Sequence, residues 1–147
     1  VTRWKRVRDR LGGECRWIAV AYADARVCGA PGLEAVMAAA IETDCAGVLI
    51  DTWDKSGGSL THHLSQKQLE EVRGTTRDAG LLLALAGRVS IEDLDEVSAV
   101  EPDLVAVRSA ACQDGRRDLP VEERRVRELV ARLGGTIGSV ESWRNAG

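Results

Sequence analysis

Ala46-Gly-Val-Leu-Ile-Asp-Thr-Trp-Asp-Lys55, continuing into Ser56-Gly-Gly-Ser59, is the stretch on which the fold turns. Its first half is a nearly unbroken apolar run of strand length, and its second half gives way at once to charged, small and turn-forming residues. A strand apolar at almost every position, not at every second one, has the pattern of a parallel strand covered on both faces. The same texture recurs at residues 17–23, 81–86 and 104–107. Between these runs the period lengthens. Leu33, Val36, Met37, Ala40 and Ile41 step along one helical face, and Val126, Leu129, Val130 and Leu133 repeat the stripe. Ser65 with Gln68, and Ser90 with Asp93, have the spacing of capping boxes, and Gly80 follows the helix built on Leu69, Val72 and Thr76 as its stop.

The order predicted from these signals is a helix over residues 4–11, ended by Gly12-Gly13, and then four βα units. Strand–helix alternation at this spacing specifies an α/β fold with a parallel sheet and right-handed crossovers. Four parallel strands alone leave two unpaired edges, so a partial (β/α)8 TIM barrel fits the pattern better than a complete doubly wound domain. Residues 1–133 are expected to form this half-barrel, and residues 134–147 a loosely packed C-terminal tail without strong period. The opening helix has no strand before it, so the first βα unit is expected to lack its β.

Composition narrows the function classes. The 147 residues carry 20 Lys+Arg against 23 Asp+Glu, a net charge of −3, which does not suggest a nucleic-acid partner. The basic cluster Arg3, Lys5, Arg6, Arg8 and Arg10 reads as a solvated helix face. No apolar run approaches the roughly 18 residues of a membrane span, and the start shows no apolar segment of an export signal. Cys15, Cys28, Cys45 and Cys112 are too scattered for a metal knuckle or a disulfide scaffold, which predicts reduced thiols in a cytoplasm. Only Lys5, Lys55 and Lys67 are lysines, and lysine, unlike arginine, readily loses its proton and forms Schiff bases.

In βα folds the ligand site gathers at the carboxyl ends of the strands. Four places qualify: Tyr22-Ala-Asp24, Asp51 to Lys55, Gly87-Arg88, and Arg108-Ser-Ala-Ala-Cys112. Asp51 closes an apolar strand, where a carboxylate is costly unless it is paired or used. Lys55, one short loop on, suits acid–base or Schiff-base chemistry on a phosphosugar. The plainer alternative is that Asp51 caps the loop and Lys55 is solvated. Asp24 repeats the arrangement, with an Asx-type turn as its plainer reading. Gly87 and Ser109 are the small residues expected to line a phosphate pocket of backbone N–H groups at two neighbouring strand ends. Arg108 adds a phosphate contact or a structural ion pair. Trp53 is a stacking or a rim-packing residue. Cys112 has no histidine placed by sequence to activate it, and His62-His63 reads as a polar loop before the Ser65 cap, not as a metal pair.

At these residues the chain resembles the (5-formylfuran-3-yl)methyl phosphate synthases of methanofuran biosynthesis. The matching stretches are Ala21-Tyr-Ala-Asp-Ala25, Leu49-Ile-Asp-Thr52 with Lys55 in Lys-Ser-Gly-Gly-Ser-Leu, Leu83-Ala-Leu-Ala-Gly87, and Val105-Ala-Val-Arg-Ser-Ala-Ala-Cys112. The resemblance implies a TIM-barrel lyase that joins two molecules of glyceraldehyde 3-phosphate into a furan, losing one phosphate and water, without metal or organic cofactor. One substrate would be held as a Schiff base while further lysines shuttle protons. It implies that Asp51 and Lys55 match the carboxylate and lysine of the sixth barrel strand and Asp24 the aspartate of the fifth. The Schiff-base lysine has no counterpart here, and His62-His63 replaces a more apolar stretch. The expectation is therefore the C-terminal half of such an enzyme, strands five to eight, inactive alone, with Lys55 as a proton shuttle. Its expected partners are triose phosphate, the missing N-terminal half-barrel and a second copy of itself. A start at valine fits a late initiation site or a piece of a longer protein. The alternatives are another phosphosugar aldolase or lyase on the same barrel, and an inactive half-barrel acting as a structural partner.

Overall fold

A computed structural model describes residues 1–11 and 15–134 of the chain, so both the Gly12-Gly13 stop and all but the first residue of the expected C-terminal tail lie outside the described residues. Four strands, β1 (Ile18–Tyr22), β2 (Gly47–Asp51), β3 (Leu82–Leu85) and β4 (Leu104–Val105), pair in parallel in chain order. The intervening segments are helical: α1 (Thr2–Leu11) precedes the sheet, α2 (Ala25–Cys28) and α3 (Leu33–Glu42) follow β1, α4 (Leu60–His63) and α5 (Gln66–Asp78) follow β2, and α6 (Leu94–Ala99) follows β3. The α/β alternation legible in the apolar runs is thus the alternation of the fold. None of the described helices is long and apolar enough to cross a membrane.

Local chemistry sets the element ends. The Ser65 hydroxyl accepts from the Gln68 N–H while the Gln68 side chain accepts from the Ser65 N–H, so the capping box expected at the start of α5 is formed. At Ser90 the box also closes, with Ser90 N–H donating to Asp93 Oδ2 at 2.8 Å, but it secures a turn and α6 begins only at Leu94. Gly47 is required by strand spacing: a Cβ there would lie 2.5 Å from the Leu82 carbonyl oxygen.

The chain forms two compact units, residues 1–107 and residues 108 onward. In the first, register puts Ala19, Val48 and Leu83 on one sheet face, and Ala21, Ile50 and Leu85 in the row above them. All six are buried, together with Val36, Met37 and Ala40 of α3, Leu69 and Val72 of α5, and Leu94 and Val97 of α6. This is the core, and at roughly 25 cal/mol per Å2 of apolar surface removed from water it is the main stabilising feature. The opposite face is different. Ile18 and Val20 are 45% and 42% exposed, and Leu104 is exposed as well. The uninterrupted apolar runs predicted cover on both faces; here the helices cover one, and Ile18, Val20, Leu49 and Ala84 form an apolar face open to solvent.

In the second unit Ser109–Ala111 and Gln113–Gly115 are short 3-10 turns, Cys112 and Val121 make an isolated antiparallel bridge, and α7 spans Glu123–Arg132. Of the helical stripe read there, Leu129 is buried with Ala110 and Cys112, while Val126 and Leu133 are exposed.

Candidate functional site

Tyr22 and Asp51 are partners in the β1–β2 register, at the carboxyl ends of both strands and on the face that the helices leave open. With Thr52, Trp53 and Lys55 they line an open hollow of about 220 Å3. The Tyr22 and Trp53 rings meet edge to face, 5.5 Å between centroids, and form an aromatic wall, while Trp53 keeps 55% of its surface exposed. Trp53 therefore both packs and offers a face to solvent.

Asp51 and Lys55 come together as a pair. Lys55 Nζ lies 2.9 Å from Asp51 Oδ1 and also donates to the Thr52 carbonyl, and the same Oδ1 accepts the Thr52 N–H at 2.7 Å. The carboxylate that ends an apolar strand is thus neutralised across one tight loop, and neither side chain is fully buried. Lys55 also stays 40% exposed and Asp51 ties the Thr52 N–H, so the plainer reading of a capped loop with a lysine in contact with solvent describes the same geometry. Such a pair has an ammonium that can donate a proton, beside a carboxylate that keeps it oriented.

Asp24 does something its sequence position does not suggest. It is buried, 6% exposed, and its side chain makes no bond to cap α2. Instead Oδ1 accepts the Trp53 N–H at 2.6 Å and Oδ2 the Asp54 N–H at 2.8 Å. Burial pushes the Asp24 carboxyl up, but the N–H groups of Trp53, Asp54 and Asp24 itself, with a smaller attraction from His63, outweigh it and hold the group below the usual carboxylate range. Asp24 therefore clamps the backbone that carries Lys55, in place of the Asx-type turn.

The rest of that loop is tied down similarly. Asp54 accepts from both the Ser56 hydroxyl and the Ser56 N–H, and those two bonds hold its carboxyl below the usual range against a small opposing effect of burial. Arg88 donates to the Gly57 carbonyl from the turn after β3. Gly87 in that turn has φ +106°, and a Cβ there would lie 2.9 Å from the Thr52 methyl and 3.0 Å from the Thr52 nitrogen. A glycine is needed because the ends of β2 and β3 approach so closely. Thr52 itself is fully buried at the back of the hollow, and its hydroxyl has no partner among the described residues.

Arg108 and Ser109 stand in the second unit, where Arg108 precedes the Ser109–Ala111 turn and its carbonyl accepts from the buried Cys112 thiol at 3.3 Å. Among the described residues no three His, Cys, Asp or Glu side chains are placed to share a metal ion.

The sequence model of the family described as 4-HFC-P synthase matches residues 1–130, nearly the whole of the chain. The chain belongs to this family. Over 124 residues it is 34% identical to the (5-formylfuran-3-yl)methyl phosphate synthase of Methanopyrus kandleri, covering 84% of this chain and 52% of that relative. The enzyme of the same name from Methanococcus aeolicus is 36% identical over 114 residues, 77% of this chain and 48% of the relative. That from Archaeoglobus fulgidus is 35% identical over 86 residues, 58% of this chain and 34% of the relative. The chain spans about half the length of the first two of these synthases.

For a chain of this synthase family, two features of the site escape sequence reading. The first is the reach of Asp24 to a loop 29 residues away. The second is a cluster in which Ser59, Thr61, His62 and Asp93 share hydrogen bonds. The only local signal was the Ser90–Asp93 box, which placed Asp93 at an element end without its partners.

Proposed function

We propose that the chain is the C-terminal half of a (β/α)8 lyase that condenses two molecules of glyceraldehyde 3-phosphate into (5-formylfuran-3-yl)methyl phosphate by Schiff-base, aldol-type chemistry. The observation that carries the reading is the Asp51–Lys55 pair in a hollow at the strand carboxyl ends, on the sheet face that the described helices of the first unit leave open. In a barrel that face is the interior, where its apolar rows meet those of the opposite strands. The names of the relatives, and their roughly doubled length, support the same assignment.

In this reading Lys55 is a proton shuttle, Asp51 holds its ammonium, and Asp24 sets the loop on which both depend. The imine forms on a lysine of the N-terminal half-barrel, the chain's first partner. A lysine held in an ion pair suits proton donation and phosphate counter-charge, whereas an imine-forming lysine must reach the neutral amine. Gly87 in the first unit is a contact for substrate phosphate, and Arg108 and Ser109 are proposed as phosphate contacts of the second unit in their own right. No metal or organic cofactor takes part, and the reaction belongs to the cytoplasm.

The test is borohydride reduction in the presence of triose phosphate, performed on the chain extended upstream of Val1 by its in-frame coding sequence. A covalent triose phosphate adduct on an added strand-end lysine is the expected result. Absence of any adduct from an extended protein that folds would leave the inactive structural partner as the better reading.

A further inference from the structure

The loop after β2 and the turn after β3 meet in a second polar cluster, separate from the Asp51–Lys55 hollow. Ser59 is buried, and its Oγ lies 2.8 Å from His62 Nδ1, 3.0 Å from Thr61 Oγ1 and 3.1 Å from Asp93 Oδ1. Thr61 Oγ1 is 2.6 Å from the same Asp93 oxygen, and Asp93 Oδ2 accepts the Ser90 N–H. The Leu60 N–H donates to the Gly87 carbonyl at 2.8 Å, which pins the start of α4 to the turn after β3. The cluster therefore stands at the same end of the sheet as Asp51 and Lys55. A Cβ on Gly58 would come within 2.6 Å of His62 Cβ and 2.9 Å of its Cγ, so a glycine there is what leaves the imidazole its place.

Counting protons decides the state of this cluster. Burial pushes the Asp93 carboxyl up, but bonds from the Thr61 hydroxyl, the Ser90 N–H and hydroxyl, and the Ser59 hydroxyl outweigh it and hold it below the usual range. Asp93 is then a carboxylate, which only accepts. Its short contact with Thr61 uses the one proton of that hydroxyl. Ser59 also has one proton, and it faces two oxygen acceptors, Asp93 Oδ1 and Thr61 Oγ1. With that proton given to the Asp93 carboxylate, the charged and stronger acceptor, Nδ1 is the donor to Ser59 Oγ. In a neutral imidazole with its proton on Nδ1, the free lone pair is on Nε2. His62 is exposed, and its Nε2 has no partner among the described residues.

We propose that Asp93, Ser59 and His62 form a proton relay at the carboxyl ends of β2 and β3, with His62 held as its Nδ1–H tautomer and Nε2 as the proton-accepting atom. When Nε2 takes a proton from a carbon acid or hydroxyl, an N–H bond forms and the C–H or O–H bond breaks. The electron pair stays on the substrate, and the imidazolium is stabilised through Ser59 by the Asp93 charge. Returning that proton at a later step restores the neutral ring. The relay is separate from Lys55 and gives the site a second acid–base group. Its use on a phosphorylated carbonyl substrate rests on the furan-synthase reading, but the tautomer does not.

Nitrogen-15 spectra of the histidine-labelled 147-residue chain test the tautomer directly, with His62→Gln assigning the signals. Cross-polarisation detection keeps the readout independent of assembly size. The expected spectrum has Nδ1 of His62 in the pyrrole-type range and Nε2 in the pyridine-type range, with Ser59→Ala shifting the pattern toward the Nε2–H form favoured in water. A pyrrole-type Nε2 in the unaltered chain, or a pattern unmoved by Ser59→Ala, overturns the proposal whatever the reaction is. In the upstream-extended protein His62→Gln should lower kcat by roughly 10²-fold, the low end for acid–base groups, with KM little changed. An unchanged kcat in that variant would also overturn the relay, even with the tautomer as expected.

Discussion

Replacing Asp24 by asparagine should loosen the loop that carries Lys55 while leaving the sheet in place. In the native chain the carboxylate accepts two N–H groups, at 2.6 Å from Trp53 and 2.8 Å from Asp54. A hydrogen bond to a charged group contributes about 1.5–3 kcal/mol, an ordinary one about 0.5–1.5, and an unsatisfied buried N–H costs about 1–3. The amide keeps one neutral bond and turns its NH2 toward the other N–H, while the desolvation of the carboxylate is recovered. The net loss is about 1–3 kcal/mol, read as a lower urea midpoint at fixed protein concentration. The effect depends on pH with a definite sign. Asp24 is held below its ordinary value in the folded chain, whereas in the unfolded chain it titrates near about 3.9. Its contribution is therefore complete above about pH 4 and is lost as pH falls through the lower folded-state value. The gap between native chain and variant should be flat across neutral pH and close on acidification. Amide exchange gives the local readout, with the Trp53 and Asp54 N–H both protected in the native chain and one of the two fast in the variant. A gap that is absent at neutral pH or widens in acid, or protection of both N–H groups that survives the substitution, would refute the clamp.

Gly87→Ala should destabilise the chain by about 1–3 kcal/mol, because the residue sits at positive φ and its new methyl would press on the Thr52 backbone; a thermal or urea midpoint measures it. Among the described residues one sheet face is uncovered and both sheet edges are unpaired, which predicts self-association of the 147-residue chain in sedimentation velocity, reduced by Val20→Lys; a monodisperse monomer with a cooperative melt would contradict this. Lys55→Arg in the upstream-extended protein should cost ~10²–10⁴-fold in turnover, since arginine keeps the charge but does not release a proton, while borohydride still traps triose phosphate. Loss of trapping in that variant, with the circular dichroism unchanged, would move the imine to Lys55.

What the sequence determined by itself is what depends on neighbours along the chain. The apolar runs around β1 to β4, the helical stripe of α3 and the Ser65–Gln68 box are all decided within a few residues, and each became the element it announces. Asp51 and Lys55 are four residues apart, so a carboxylate at a strand end and a lysine across the next turn could be read as a pair before any fold was known. The tertiary structure decided the rest. Runs apolar at nearly every position carry no period-two signal, so which face of β2 the helices leave open, and hence that Asp51 and Tyr22 share it, followed only from parallel register and helix packing. The clamp from Asp24 to Trp53 and Asp54 spans 29 and 30 residues, and Asp93 reaches Ser59 across 34. These bonds exist because parallel pairing brings strand ends distant in sequence to one edge of the sheet, where a carboxylate finds partners that local spacing cannot announce.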